Sequence, residues 1–168
     1  IPFSWYYGSR LTDGSDEAYW DNNSEWIVIE TDESDHGFIR YNTVMGTVLC
    51  IDPEHMEFYD FKFENLLGEF RDFVKKSSEN HGVQILSFDD ENTKMIFDNC
   101  NNIITFGKKD GADLRSTDSK FEVIDGLMGS RSTITFKGRK IGELKLTVPG
   151  EHNIQNALSA IVGAAQFG

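Results

Sequence analysis

The chain has 168 residues and a formal net charge of −12, from 28 acidic and 16 basic side chains. Such a surface repels nucleic acid and anionic membranes, so neither is expected as a partner. The hydrophobic content of 39% suffices for the core of one domain, and no apolar run reaches the ~20 residues that a membrane-spanning helix needs.

Short apolar runs and helical periodicity alternate through the first two thirds of the chain. A helix is predicted over residues 63–78, because its apolar side chains recur at i, i+3, i+4 and i+7. A short helix is predicted near residues 93–97. Each apolar run is too short for a helix and predicts a buried parallel strand. These runs are residues 26–29, 47–51, 83–88 and 103–106.

The last third of the chain follows a different pattern. Apolar and polar residues alternate between 121 and 148, with turn sequences at Asp125-Gly126 and Lys137-Gly138. This predicts a small antiparallel meander beside the parallel sheet. A final helix is predicted to begin near His152. The predicted fold is therefore α/β: a mainly parallel sheet flanked by helices, with a small antiparallel β meander, in one domain over residues 1–168.

Acidic side chains and a histidine follow the predicted parallel strands. Glu30 ends the first run and His55 follows the second. Ligands of open α/β sheets bind beyond the carboxyl ends of the strands, so both residues are expected at the edge of a crevice. A carboxylate and an imidazole there can hold a divalent cation. The alternatives are a solvated glutamate and a structural histidine, and two residues alone make no metal motif.

Two further polar segments are candidates for binding. Residues 32–35 form an acidic cluster, which can line a ligand site or simply cap a helix and lie in solvent. Asn153 and Asn156 lie three residues apart and so share a helix face. Their amides can meet the hydrogen-bonding edge of adenine, although capping by Asn153 explains the pattern equally well.

Familiar catalytic and phosphate-binding motifs are absent from the sequence. It contains no G-x-x-x-x-G-K-[ST], no G-x-S-x-G, no H-E-x-x-H and no G-x-G-x-x-G. The two cysteines, Cys50 and Cys100, form no C-x-x-C pair, and both are expected to be buried.

Three segments, in order, resemble the signature segments of the Mur ligase family: residues 26–35, 51–59 and 149–158. The blocks Asp32-Glu33-Ser34-Asp35 and Asp52-Pro53-Glu54-His55-Met56 are most similar to those of the alanine-adding branch. The resemblance runs from about Trp26 to Phe167. It implies a central ATP-binding domain with a P-loop-NTPase-like fold.

The resemblance also implies a reaction and its residues. Family members of this branch join L-alanine to UDP-N-acetylmuramate with ATP and Mg²⁺, through an acyl phosphate, during peptidoglycan synthesis in the bacterial cytoplasm. Because they match positions in the family's signature segments, Glu30 and His55 are expected to be catalytic and to hold magnesium. The nucleotide is expected to contact His152, Asn153 and Asn156. The substrate side of the crevice is expected to carry Asp32, Glu33, Ser34 and Asp35.

Three expectations concern the chain as it stands. The family's phosphate-binding loop and its flanking domains are not in this sequence, so we expect an incomplete middle domain that is inactive alone. An exposed sheet edge is expected to promote self-association. The alternatives are a ligase that recycles a murein tripeptide, and a non-catalytic Mur-like module with a structural or interaction role.

Overall fold

The computed structural model describes residues 2–8, 16–34, 36–79 and 82–167. Within these ranges the strands form one sheet of six strands and one of three. The strands are β1 (Ser4–Tyr6), β2 (Ala18–Tyr19), β3 (Ile27–Ile29), β4 (Met45–Val48), β5 (Val83–Ser87), β6 (Ile103–Gly107), β7 (Leu114–Ile124), β8 (Leu127–Phe136) and β9 (Arg139–Leu146). The α-helices are α1 (Phe63–Glu79), α2 (Glu91–Lys94) and α3 (Glu151–Ala165).

The six-stranded sheet runs in chain order from β4 to β9. The four strands β4 to β7 are mutually parallel, and β7, β8 and β9 are antiparallel. The predicted meander and both of its turns are confirmed, but it begins at Leu114 rather than near Phe121. Through the β6–β7 pair it continues the parallel sheet instead of forming a neighbouring one.

Helices cover both faces of this sheet. Leu86 faces α1 and packs in one core with Leu66 and Val74, whereas its neighbour Ile85 packs in a second core with Leu158 of α3. Neighbouring residues of a strand point to opposite faces, which is why one apolar run serves two cores. The predicted α/β class with flanking helices is confirmed.

The three-stranded sheet differs from the prediction. β3 is parallel, as expected, but its partner is β1, and it does not join the larger sheet. Ile27 and Val28 are 48% and 52% exposed, so the prediction of a buried strand is wrong. Among the described residues, no helix covers β3 in the way that α1 covers β4 and β5.

The predicted burial of the two cysteines is also corrected, and for Cys50 the reason lies at the end of β4. The strand stops at Val48, and the chain then turns away from the sheet, so that only Ile51 of the next three residues is buried. Cys50 is therefore exposed, and Cys100 is half-buried rather than buried.

No helix in the described part of the chain is long and apolar enough to cross a membrane.

Candidate functional site

Glu30 stands directly after β3 and is held by the turn that follows β1. Its backbone N–H donates to the Tyr6 carbonyl at 3.0 Å, and its Oε2 accepts from the Gly8 N–H at 3.1 Å. The side chain is exposed. Glu30 thus lies at the carboxyl end of β3, with one carboxylate oxygen already bonded by the backbone. However, β3 belongs to the three-stranded sheet, whereas His55 follows β4 of the six-stranded sheet, so the two residues do not share one sheet edge, contrary to the prediction.

His55 lies in the loop after β4 and begins a short 3₁₀ helix, Met56–Tyr59. Its backbone is left-handed, with φ 52°, which turns the chain sharply at this point. Metal-competent atoms of Glu33, Glu54 and His55 all lie within 4.8 Å of one another. Two carboxylates and an imidazole suit Mg²⁺ or Mn²⁺. Glu30 is not a member of this group.

Asp32 is ordered by its neighbour Ser34. The Ser34 hydroxyl and backbone N–H donate to Asp32 Oδ1 at 2.6 and 3.0 Å. These bonds lower the pKa of Asp32 below its ordinary 3.8, and the electrostatic interaction with His55 lowers it further. The carboxyl therefore stays ionised to a lower pH than an ordinary aspartate. Asp35, the fourth residue of the predicted substrate segment, lies outside the described residues.

Tyr59 fastens the acidic segment to the loop that carries His55. Its hydroxyl donates to the Glu33 carbonyl at 2.7 Å, and its ring is buried. The ring of His36 packs edge-on against Tyr59 at 5.0 Å, and His36 Nδ1 lies 2.6 Å from Glu69 Oε1 on α1. Two loops from different strands are thus joined through one buried side chain.

A cavity of about 210 Å³ lies beside these loops. Its polar wall includes Asp32 and Glu33, and its apolar wall includes Phe70 and Phe73 of α1. Cys50 also lines the cavity. A larger hollow of about 520 Å³ lies on the three-stranded sheet and is lined mainly by aromatic side chains such as Trp20. No acidic side chain of the described residues lines this hollow, whereas Asp32 and Glu33 line the smaller cavity. We therefore place the candidate site at the smaller cavity and the neighbouring loop of Glu54 and His55, although these two residues do not line the cavity itself.

The first turn of α3 carries the other predicted group. Asn153 Nδ2 donates to the Pro149 carbonyl at 2.8 Å, so the Asn153 side chain bonds the loop before the helix and does not cap a backbone N–H. The N-cap residue is Gly150, which makes no side-chain cap. His152 and Asn156 are exposed. All three predicted residues lie within the first six residues of α3.

Sequence reasoning missed Glu54, Tyr59 and Gln155. Glu54 precedes His55 directly, and that adjacency was a usable signal. No local pattern indicated Tyr59, because its bond to the Glu33 carbonyl spans 26 residues. The Gln155 amide donates to the Asp89 carboxylate, 66 residues away in the chain, and no local pattern indicated that bond either.

Sequence comparison matches residues 17–164 to the Mur ligase middle domain. The chain is 36% identical over 145 residues to the UDP-N-acetylmuramate–L-alanine ligase of Janthinobacterium sp. (strain Marseille), covering 86% of this chain and 30% of that protein. It is 33% identical over 162 residues to the ligase of the same name from Thiobacillus denitrificans, covering 96% and 34%. The chain thus spans about a third of the length of these relatives.

Solved structures share the fold. The UDP-N-acetylmuramate:L-alanyl-gamma-D-glutamyl-meso-diaminopimelate ligase of Neisseria meningitides superposes with a TM-score of 0.79 at 20% identity, covering 99% of this chain and 53% of that one. The UDP-N-acetylmuramate–alanine ligase of Thermotoga maritima gives 0.75 at 23% identity, covering 99% and 35%.

Proposed function

This chain belongs to the Mur ligase family, and we propose that it is the ATP-binding middle domain of a ligase that joins L-alanine to UDP-N-acetylmuramate. Relatives of that name are 31–36% identical to it over the aligned residues. In the proposed reaction ATP phosphorylates the muramate carboxylate to an acyl phosphate and leaves as ADP. The amine of alanine then attacks the acyl carbon, and phosphate leaves as the amide bond forms. The proposed setting is peptidoglycan synthesis in the bacterial cytoplasm.

The observation that carries the proposal is the convergence of Glu33, Glu54 and His55 within 4.8 Å. The two carboxylates of this set fit a magnesium ion, because hard cations prefer oxygen ligands. We propose that Glu33, Glu54 and His55 would hold the ion. Glu30, the ligand that the family match adds, lies outside the converging group and is proposed from that match alone. When bound, the cation neutralises charge on the phosphoryl group that is transferred.

The acidic segment is proposed to face the substrate. Hydrogen bonds from Ser34 order the Asp32 carboxylate and lower its pKa, and the carboxylate can accept further bonds from hydroxyl or amide groups. Beside it, the Glu33 carbonyl is held by the Tyr59 hydroxyl. We keep Asp35 in this set from the family match alone.

The first turn of α3 is proposed to contact the adenine. The exposed amide of Asn156 can both donate and accept, as the N6 and N7 edge of adenine requires, and Asn153 and His152 lie on the same turn. The sequence has no G-x-x-x-x-G-K-[ST] cradle for the phosphates. We therefore propose that the 168-residue chain alone does not catalyse ligation.

A second candidate is a ligase that adds a whole tripeptide to UDP-N-acetylmuramate. Its support is the TM-score of 0.79 with the Neisseria enzyme. An assay of the product of the complete reading frame separates the two candidates. Phosphate release with L-alanine supports the first, and release with the tripeptide alone supports the second. Release with neither supports a non-catalytic module.

The site itself is tested by calorimetric titration of the chain with ATP, with and without Mg²⁺. We expect weak, magnesium-dependent binding that is lost in Glu30→Ala and in His55→Ala, because each removes a ligand of the ion. The matched control is Glu57→Gln, which removes one charge close to His55 but lies outside the converging group.

Binding that persists in His55→Ala would contradict the proposed metal site. The absence of any heat at millimolar ATP would count against nucleotide binding by this chain.

A further inference from the structure

The carboxylate of Asp89 joins two loops and a helix at the carboxyl edge of the parallel sheet. Asp89 follows β5. Its Oδ2 accepts from the Lys108 backbone N–H at 2.7 Å, and its Oδ1 accepts from the Lys109 N–H at 2.9 Å. Oδ2 also accepts from Gln155 Nε2, on α3, at 3.0 Å. One side chain therefore connects the ends of β5 and β6 with the first turn of α3.

The loop after β6 is shaped around this carboxylate. A Cβ on Gly107 would lie 2.6 Å from Asp89 Oδ1, so glycine is required for the loop to approach this closely. Lys109 Nζ adds bonds to the Asp89 carbonyl at 2.8 Å and to Glu91 Oε1 at 2.7 Å. The backbone N–H groups of Lys108 and Lys109 thus both donate to the Asp89 side chain, so they are unavailable to a ligand anion.

The start of α3 has other attachments as well. Ile154 is fully buried, and the Asn153 amide donates to the Pro149 carbonyl at 2.8 Å. Lys108 Nζ lies 3.8 Å from Glu151 Oε2, which is too long for a hydrogen bond. The Asp89–Gln155 bond, at 3.0 Å, is short enough to be one, and it joins α3 to the loops that follow β5 and β6.

Gln155 lies between Asn153 and Asn156 on this turn. We propose that Asp89 and Gln155 are positioning residues of the nucleotide site, fixing the first turn of α3, and with it both asparagines, against the sheet edge. The inference rests on the proposed function for its ligand. Neither residue is proposed to touch the nucleotide. Fixing the turn before ATP arrives spares the cost of ordering it on binding.

The test compares Gln155→Met with Gln166→Met. Both remove a side-chain amide donor and keep the length of the side chain, but Gln166, the C-cap residue of α3, donates to the Val162 carbonyl at the opposite end of the helix. We expect Gln155→Met to weaken ATP binding about tenfold, as loss of one charge-assisted hydrogen bond implies. We also expect faster hydrogen exchange at the amides of Lys108 and Ile154. Gln166→Met should change neither, and both variants should melt within a few degrees of the wild type.

A conservative variant gives the rescue. Gln155→Lys keeps a donor facing the Asp89 carboxylate, whose two oxygens still accept from the Lys108 and Lys109 backbone, and it should recover part of the affinity that Gln155→Met loses. Equal behaviour of Gln155→Met and Gln166→Met in both measurements would overturn the proposal. If the wild-type chain does not bind ATP, the proposed function fails, while faster exchange in Gln155→Met alone would still establish the anchor. Unchanged exchange would refute it.

Discussion

At the residue scale, the side chains around the candidate site are controlled by bonds to distant parts of the chain. Tyr59 is one example, since its hydroxyl joins the loop after β4 to the segment after β3. Asp32 is instead held by its neighbour Ser34, whose hydrogen bonds lower the pKa of its carboxyl. These bonds determine which polar groups stay in place without a ligand.

Removal of the Tyr59 hydroxyl tests this control. Tyr59→Phe leaves the ring in place but removes the donor to the Glu33 carbonyl, and a lost buried hydrogen bond costs about 1–2 kcal/mol of unfolding free energy. We expect that loss in urea denaturation, together with weaker Mn²⁺ binding because Glu33 is less well held. Tyr41→Phe, at an exposed ring, is the control. Equal effects of the two variants would refute the role of the hydroxyl.

Cys50 gives a second prediction at this scale. Although Cys50 is exposed, partial desolvation of its thiol raises the pKa to about 11 from 9.0, and the nearby charges of Asp52 and Asp90 raise it further. The reactive form is the thiolate, so alkylation at pH 8 should be about tenfold slower than for a free thiol, once the greater nucleophilicity of the more basic thiolate is included. Asp52→Asn should increase the rate, and Asp118→Asn should not. Rapid alkylation of the wild-type Cys50 would contradict the prediction.

At the scale of elements, α1 packs closely on β4, so Gly46 and Gly68 differ sharply in how well they tolerate an added side chain. A Cβ on Gly46 would lie 2.6 Å from Gln84 Oε1 and 2.9 Å from the Phe73 ring. Gly68 of α1 has nothing within 4 Å of such a Cβ. The same substitution should therefore have opposite effects at the two sites.

We expect Gly46→Ala to destabilise the protein by about 1–3 kcal/mol, because the added methyl overpacks a buried contact. Gly68→Ala should stabilise it by about 0.5–1 kcal/mol through helix propensity. Thermal or urea unfolding measures both. A neutral Gly46→Ala would show that Phe73 and Gln84 move aside without cost.

At the scale of the whole molecule, the three-stranded sheet leaves apolar side chains in solvent. Ile27 and Val28 are about half exposed, and Trp20 is 69% exposed. An uncovered strand with apolar side chains is a site for association between chains.

We expect the isolated chain to self-associate with increasing concentration in sedimentation velocity. Val28→Lys should reduce association, because a charge on the exposed strand opposes edge pairing. The control is Val123→Lys, which adds the same charge to an exposed valine of β7, outside the three-stranded sheet. A monodisperse monomer at all concentrations would contradict the prediction.

The sequence by itself determined the α/β class, the strands and helices of the larger sheet, and the family. Hydrophobic periodicity indicates which face of an element is buried. The signature segments around Glu30, His55 and Asn153 are local, so the buried faces and the family can both be predicted from the sequence. The turns at Asp125-Gly126 and Lys137-Gly138 were equally local.

Only the tertiary structure decided what surrounds those residues. Apolar character made residues 26–29 a strand, but burial depends on which neighbours cover it, and β3 pairs only with β1 among the described residues. The grouping of Glu33 and Glu54 with His55, and the bond from Gln155 to Asp89, join segments far apart in the chain. Such contacts depend on how loops fold across the sheet edge, which no pattern of neighbouring residues encodes.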